Sequence, residues 1–267
     1  MRFSPLLLAA LLAGCAVVPS PEPAPVRAAD PLHIETYGAP AKVHTLVIVI
    51  HDDGEPGARS DEDAFAKAAV GIIPEAMAVT ILRPGYSNKR GNTSPGDHGQ
   101  ANGDNFTLDR VAALGVRIQQ ITKAYPRANI ILVGDGGGAA LVANLAGLHP
   151  DIADAIMLVG CPCALPEWRT HMAARTGDPV WKAAVTSLDP LKFAGGVSTG
   201  LQVVVLVGGE DAITPVRLSR AYVEALTLRG IATDYRIVPG AGHNLLQDPD
   251  AAMAALTHLA ARLPEKP

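Results

Sequence analysis

The chain has 267 residues, a formal net charge of −4 and three cysteines. This length fits one α/β domain better than several. Acidic and basic residues are interspersed and form no basic block, so we expect no nucleic-acid partner.

The N-terminus has the pattern of a secretory signal. A positive start, Met1–Ser4, precedes an apolar stretch over 5–13 that is too short to span a bilayer as a mature helix. Leu12-Ala13-Gly14-Cys15 resembles a bacterial lipobox, which implies a signal peptide over 1–14 and lipidation of Cys15. The alternative is an ordinary signal peptide cut nearby. In lipoproteins, a residue such as Ala16 after the cysteine implies the outer membrane, so we expect a lipid-anchored protein of the bacterial cell envelope, on the periplasmic side.

The segment 15–31 is expected to be an extended tether. It contains Pro19, Pro21, Pro23, Pro25 and Pro31, and alternating prolines build neither a helix nor a central strand. A single globular domain over 32–267 would then stand off the membrane surface.

Short apolar runs without alternation predict strands of a parallel sheet that is covered on both faces. They are Thr45–Ile50, Met77–Leu82, Ile130–Val133, Ala155–Val159 and Leu201–Val207. Helical patterns separate these runs. One covers 107–123, with Thr107 as its candidate N-cap. Another begins at Thr214-Pro215, with Thr214 as the cap and Pro215 in the first turn. This alternation predicts a doubly wound, mostly parallel α/β fold.

Residues 164–193 interrupt the alternation of strands and helices. They contain both tryptophans, Trp168 and Trp181. We predict a small helical lid insert; the alternative is that the tryptophans only fill the packing of the insert.

Polar and glycine-rich motifs directly follow the predicted strands. In open parallel sheets, active sites lie at the carboxyl ends of the strands. These ends read His51-Asp52-Asp53-Gly54, Arg83-Pro84-Gly85-Tyr86, Gly134-Asp135-Gly136-Gly137-Gly138, Gly160-Cys161-Pro162-Cys163, Gly208-Gly209-Glu210-Asp211 and Pro239-Gly240-Ala241-Gly242-His243. Over nearly the whole mature chain, the set resembles the serine esterase and peptidase branch of the α/β-hydrolase superfamily.

The resemblance implies a catalytic acid at Asp211, a base at His243 and a nucleophile at Gly136, which replaces the serine of the G-x-S-x-G elbow. It also implies one oxyanion donor at the backbone N–H of Gly137 and a second from the loop at Asp52–Asp53. Two residues depart from the family pattern. Gly136 has no hydroxyl, and Asp52 stands where the family has Gly, so that a carboxylate there would oppose an oxyanion unless it points into solvent.

Other nucleophiles fit the sequence less well. Ser198 lies in a G-x-S-x-G string, but a loop precedes it and a strand follows it, the reverse of an elbow. Asp135 would need a register shift of one residue. Cys161 and Cys163 follow the next strand; we expect free or reversibly oxidised thiols rather than a metal site.

Gly134-x-Gly136-x-x-Ala139 also matches a dinucleotide fingerprint. The acid that should follow the next strand is absent from Leu158-Val159-Gly160-Cys161. We therefore expect neither a cofactor nor a metal.

Three functions stay open. The first is an envelope hydrolase-like lipoprotein of esterase or peptidase descent without covalent serine catalysis. The second is an active hydrolase or lyase that uses the Asp211–His243 dyad as a general base. The third is a module that binds an ester, an amide or another small envelope ligand.

Overall fold

The computed structural model describes residues 31–53, 62–247 and 249–266. The predicted signal peptide, Cys15 and all of the predicted tether except Pro31 lie outside the described residues. So does Gly54, the last residue of the first strand-end motif.

Within the described residues, seven strands form one sheet in the order β1-β3-β2-β4-β5-β6-β7. Only the β1–β3 pair is antiparallel; the other pairs are parallel. The strands are β1 Ile34–Tyr37, β2 Thr45–Ile50, β3 Ala76–Ile81, β4 Asn129–Asp135, β5 Ala155–Val159, β6 Gln202–Gly208 and β7 Thr233–Val238. The prediction of a mostly parallel, doubly wound sheet is confirmed.

Helices cover both faces of the sheet. They are α1 Asp63–Ile72, α2 Leu108–Thr122, α3 Gly137–Leu148, α4 Leu165–Thr176, α5 Pro190–Phe193, α6 Val216–Thr227 and α7 Asp250–Ala261. Helices α2, α3 and α6 contribute to one apolar core, whereas α1 and α7 contribute to a second core on the opposite face. Residues of β2, all of them buried, alternate between the two cores, which is why its apolar run is continuous.

The two edge strands lack such runs. Strand β1 buries only Tyr37, and the side chains of β7 are half-buried or exposed. An edge strand has one free side, so it needs fewer apolar residues than an interior strand.

The start of α6 differs from the prediction. The helix begins at Val216 with Pro215 in the cap position, and Pro215 has no side-chain hydrogen bond to offer. Thr214 does not cap this helix, because its hydroxyl donates to Asp211 instead.

The segment between β5 and β6 contains α4, α5 and two short 3₁₀ turns. Trp168 is buried and contacts Trp181 edge to face, with ring centroids 5.1 Å apart. Trp168 also stacks on Phe106 and donates to the carbonyl of Ile213, so it packs the insert against the rest of the domain. The role of the insert as a lid stays a prediction.

Across the described residues, no helix combines the length and the apolar character that crossing a bilayer requires.

Candidate active site

The glycine-rich turn forms a sharp bend between β4 and α3. Gly136 occupies its tip with φ +46° and ψ −113°, a backbone conformation that side chains with a β-carbon rarely adopt. Its N–H donates to the carbonyl of Val159 on the neighbouring strand. The bend therefore has the strand-turn-helix form of a nucleophile elbow, and Asp135 is the last residue of β4, one position before the tip.

Asp211 and His243 meet at this edge of the sheet. His243 Nδ1 donates to Asp211 Oδ2 over 2.8 Å. The Asp211 side chain has no exposed surface, and its other carboxylate oxygen accepts backbone N–H groups from Ile213 and Thr214. Burial raises the pKa of Asp211, but the hydrogen bonds from His243 and Thr214 and the His243 charge outweigh it and hold the pKa below its usual value. Asp211 is therefore ionised and orients the imidazole.

Thr214 is a member of this group that the sequence analysis missed. Its hydroxyl donates to Asp211 Oδ2 over 2.7 Å and lies 3.1 Å from His243 Nδ1. The sequence signal was the Thr-Pro pair, which a helix cap explained equally well.

Gly160 forms the floor beneath the imidazole. Its φ is +52°, and a β-carbon added there would lie 3.0 Å from Cε1 of His243. A side chain at this position would therefore displace the ring from Asp211.

The carboxylate of Asp52 occupies the place that a side chain at the elbow tip would take. A β-carbon built on Gly136 would overlap Asp52 Oδ1 and would lie 2.9 Å from Oδ2. Oδ1 accepts the N–H of Gly137 over 2.7 Å, and Oδ2 lies 3.4 Å from His243 Nε2. We expected Asp52 beside a second oxyanion donor; instead its carboxylate points into the site and accepts the hydrogen bond of the first donor.

The contact between Asp52 and His243 sets the charge of both groups. Burial lowers the pKa of His243, but hydrogen bonds and attraction from Asp211 and Asp52 outweigh it and raise the pKa to about 11. Burial likewise opposes ionisation of Asp52, yet His243 and the N–H of Gly137 hold its pKa well below the usual range. At neutral pH, an imidazolium therefore lies between two carboxylates.

The pKa of Asp135 is raised, whereas that of Asp52 is lowered. Burial, followed by the nearby charge of Asp52, raises its pKa to about 8, although His243 acts against this. This carboxyl is therefore largely protonated at neutral pH and adds little negative charge to the site.

His51 fixes the backbone that carries Asp52. Its Nε2 accepts the N–H of Arg83, so Nδ1 holds the proton and donates to the carbonyl of Asp52 over 2.6 Å. Burial and the charge of Arg83 lower the pKa of His51 to about 3, so the ring stays neutral.

Asp53 anchors the same loop to the Arg-Pro-Gly-Tyr segment. Its Oδ1 accepts from Arg83 at 2.7 Å, Tyr86 at 2.8 Å and Asn105 at 2.9 Å. Arg83 is 1% exposed. The motifs around Asp53, Arg83 and Tyr86 were visible in the sequence, but Asn105 carried no signal there.

The other sulfur and hydroxyl candidates lie elsewhere. Cys161 and Cys163 are buried and joined in a disulfide, with Cα atoms 5.0 Å apart, so they are not free thiols here. Ser198 lies just before β6, at the amino end of that strand and thus at the opposite edge of the sheet. In the part of the chain that the structure describes, no group of three or more His, Cys, Asp or Glu side chains is placed to hold a metal ion.

Comparisons with known proteins identify the fold. No family model matches the chain, and a search of curated proteins finds no match. Solved structures do match: esterase PE8 is 20% identical with a TM-score of 0.58, and the match covers 86% of this chain and all of that one. Est1E from Butyrivibrio proteoclasticus, solved with ferulic acid, is 17% identical with a TM-score of 0.62, and the match covers 86% of this chain and 95% of that one. Pyrococcus horikoshii acylaminoacyl peptidase is 14% identical with a TM-score of 0.64; the match covers 88% of this chain but 40% of that one. The chain has the α/β-hydrolase fold.

Proposed function

We propose that this chain is an envelope-anchored protein of esterase or peptidase descent that performs no covalent serine catalysis. One observation carries the proposal. The tip of the elbow is Gly136, and the Asp52 carboxylate fills the space beside it where a serine side chain would stand.

Acyl transfer through serine needs a hydroxyl, a free oxyanion donor and a neutral imidazole. The first is missing at position 136. The second, the N–H of Gly137, is bonded to Asp52. The third is protonated, because two carboxylates raise the pKa of His243 to about 11. The first change removes the nucleophile of this route, and the other two would slow the reaction further; all three support the proposal.

The general-base alternative is disfavoured by the same contact. A dyad that activates water needs Nε2 of the imidazole unprotonated and directed at the water. In this site Nε2 faces Asp52 Oδ2 at 3.4 Å.

A binding role is the second candidate, and one cavity favours it. The insert contains a cavity of about 320 Å³, lined by residues that include Arg169, Trp181 and Lys182. The Arg169 guanidinium is buried and donates to the carbonyls of Asn102, Trp181 and Ala183, so Lys182 is the exposed cation of this lining. Lys182 beside the Trp181 ring would suit a small anionic envelope ligand. A ligand that co-purifies with the protein and is retained in His243→Ala would support this role.

A fluorophosphonate probe tests the main proposal, because it labels activated serines. We expect no labelling of the wild-type protein. The matched control is Asp52→Gly/Gly136→Ser, which restores the hydroxyl and removes the obstructing carboxylate. Wild-type labelling traced to a serine near Asp211 or His243 would overturn the proposal.

The anchor is tested separately. The apolar stretch over 5–13 and Cys15 support lipidation. Cells that express wild-type protein should incorporate labelled palmitate and retain the chain in the membrane fraction. Cys15→Ala should lose both properties, whereas equal labelling of the two proteins would contradict a lipid on Cys15.

A further inference from the structure

The Asp52 carboxylate has the contacts expected of a reacting group. Its Oδ1 accepts the N–H of Gly137 over 2.7 Å, and its Oδ2 faces Nε2 of His243. About a quarter of the side chain is exposed, at 26%, compared with none for Asp211. Asp52 can therefore be reached by a small molecule, whereas Asp211 cannot.

We propose that Asp52 is the nucleophile of this site, displaced from the elbow to the end of β2, and that it opens epoxides through a covalent ester. The inference rests on the proposed function, in which no serine takes part. It assigns to the site a substrate class other than esters or amides.

The chemistry of a carboxylate nucleophile selects the substrate. Attack on an ester carbonyl would give an anhydride, which is less stable than the ester consumed. Attack on a tetrahedral carbon gives an alkyl ester instead, a stable intermediate that water can later hydrolyse. Opening an epoxide also needs a proton for the departing oxygen. The resting site has both an anionic carboxylate at Asp52 and an adjacent imidazolium at His243.

In the first step, an Asp52 oxygen forms a bond to an epoxide carbon, and the C–O bond of the ring breaks. The ring oxygen takes the electron pair of that bond and the proton on Nε2 of His243. The products are a hydroxyalkyl ester of Asp52 and a neutral imidazole. Esterification removes one of the two charges that keep His243 protonated, so the ring can now act as a base.

In the second step, the neutral imidazole takes a proton from water, and the water oxygen attacks Cγ of Asp52. Negative charge develops on the Asp52 carbonyl oxygen, within reach of the N–H of Gly137. The second proton of the water stays on the oxygen now bonded to Cγ. When the ester C–O bond breaks at Cγ, this proton passes to the leaving oxygen, which becomes a diol hydroxyl. One epoxide and one water give one diol, and the carboxylate and the imidazolium are restored.

The loop is built to hold Asp52 in place for such chemistry. His51 donates to its carbonyl over 2.6 Å, and Asp53 is bonded to Arg83, Tyr86 and Asn105. These residues contact the backbone or the neighbouring side chain and not the reacting atoms, so they are positioning residues.

The test is a turnover of the wild-type protein with styrene oxide in H₂¹⁸O. Protein in excess over epoxide is used for a single turnover, followed by mass spectrometry of the peptide that contains Asp52 and of the diol. We expect one ¹⁸O in the Asp52 carboxylate and none in the first diol, because the diol takes its oxygen from the protein. Asp52→Asn, of nearly equal size, should lose both diol formation and label.

Label that appears only in the diol, or on a carboxylate other than Asp52, would overturn the inference, as would no diol formation by the wild type. None of these results would affect the proposed function, which fails only if the fluorophosphonate probe labels a serine at the site. The wild-type measurement does not depend on any variant folding. Circular dichroism verifies the fold of Asp52→Asn.

Discussion

Nε2 of His243 lies 3.4 Å from Oδ2 of Asp52, while Nδ1 of the same ring lies 2.8 Å from Oδ2 of Asp211. One imidazole thus bridges two carboxylates from different strand ends. In a serine hydrolase the second contact would be a neutral hydroxyl. The replacement of a hydroxyl by a charge changes the resting protonation state of the histidine and, through it, the chemistry of the site.

The protonation of His243 can be measured by NMR. Because its pKa is raised to about 11, its ring proton shifts should not titrate between pH 5 and 9. Protonated His243 stabilises the folded state. This stabilisation is fully present below the ordinary histidine pKa of about 6.5 and is lost as the pH rises towards 11. Asp52→Asn removes one of the two charges and should lower the pKa. If His243 of the wild-type protein titrates near pH 6.5, it is not an imidazolium held between Asp52 and Asp211.

Asp135 should make folding less favourable as the pH rises. Burial and then Asp52 raise its pKa to about 8, so the folded protein retains a proton that the unfolded chain loses near pH 4. Stability from this group is therefore lost between about pH 4 and 8. Asp135→Asn should be more stable than wild type at pH 9, by more than about 1 kcal/mol, and nearly equal at pH 4. Urea unfolding of both proteins at pH 4 and pH 9 measures the difference in their free energies of unfolding. The same difference at both pH values would refute the prediction.

Gly136→Ser should destabilise the protein while Asp52 is present. The new β-carbon would overlap the carboxylate, and the residue would be strained at φ +46°. We expect a loss of about 2–4 kcal/mol. When Asp52 is replaced by Gly, the cost of Gly136→Ser is reduced to the backbone strain alone. A double-mutant cycle of Asp52→Gly and Gly136→Ser should therefore give a coupling energy of about 1–3 kcal/mol between the two positions. Additive effects in the cycle would show that the two positions do not compete for space.

Asp53→Ala should be one of the more damaging changes near the site. It removes the carboxylate that lies 2.7 Å from the buried guanidinium of Arg83, and an uncompensated buried charge costs about 3–5 kcal/mol. The matched control, Asp53→Leu/Arg83→Met, removes both charges and should lose less stability than Asp53→Ala in urea unfolding. A single variant as stable as wild type would show that water replaces the carboxylate.

Interior strands could be predicted from the sequence because burial on both faces demands a continuous apolar run, as in β2. Strand β7 could not be delimited in this way, since its polar residues lie at an edge. The order and strand-end positions of Asp211 and His243 were visible as a pattern. The direction of the Asp52 side chain was not, because a sequence gives the identity of a residue and not its rotamer. Asn105 acts through a contact with Asp53 that is distant in the chain, for which no local pattern exists. The contact of Thr214 with Asp211 is only three residues apart, but the Thr-Pro pair indicated a helix cap equally well.

The overlap at the elbow tip would constrain the history of the site if, as we propose, this chain is of esterase or peptidase descent. The family pattern that the sequence resembles has glycine at the position of Asp52 and serine at the position of Gly136. If single substitutions separate the two states, the route that gains the aspartate while the serine is still present passes through a clash. The route through two glycines does not. On that path the hydroxyl disappeared first, and the carboxylate later entered a space already vacant.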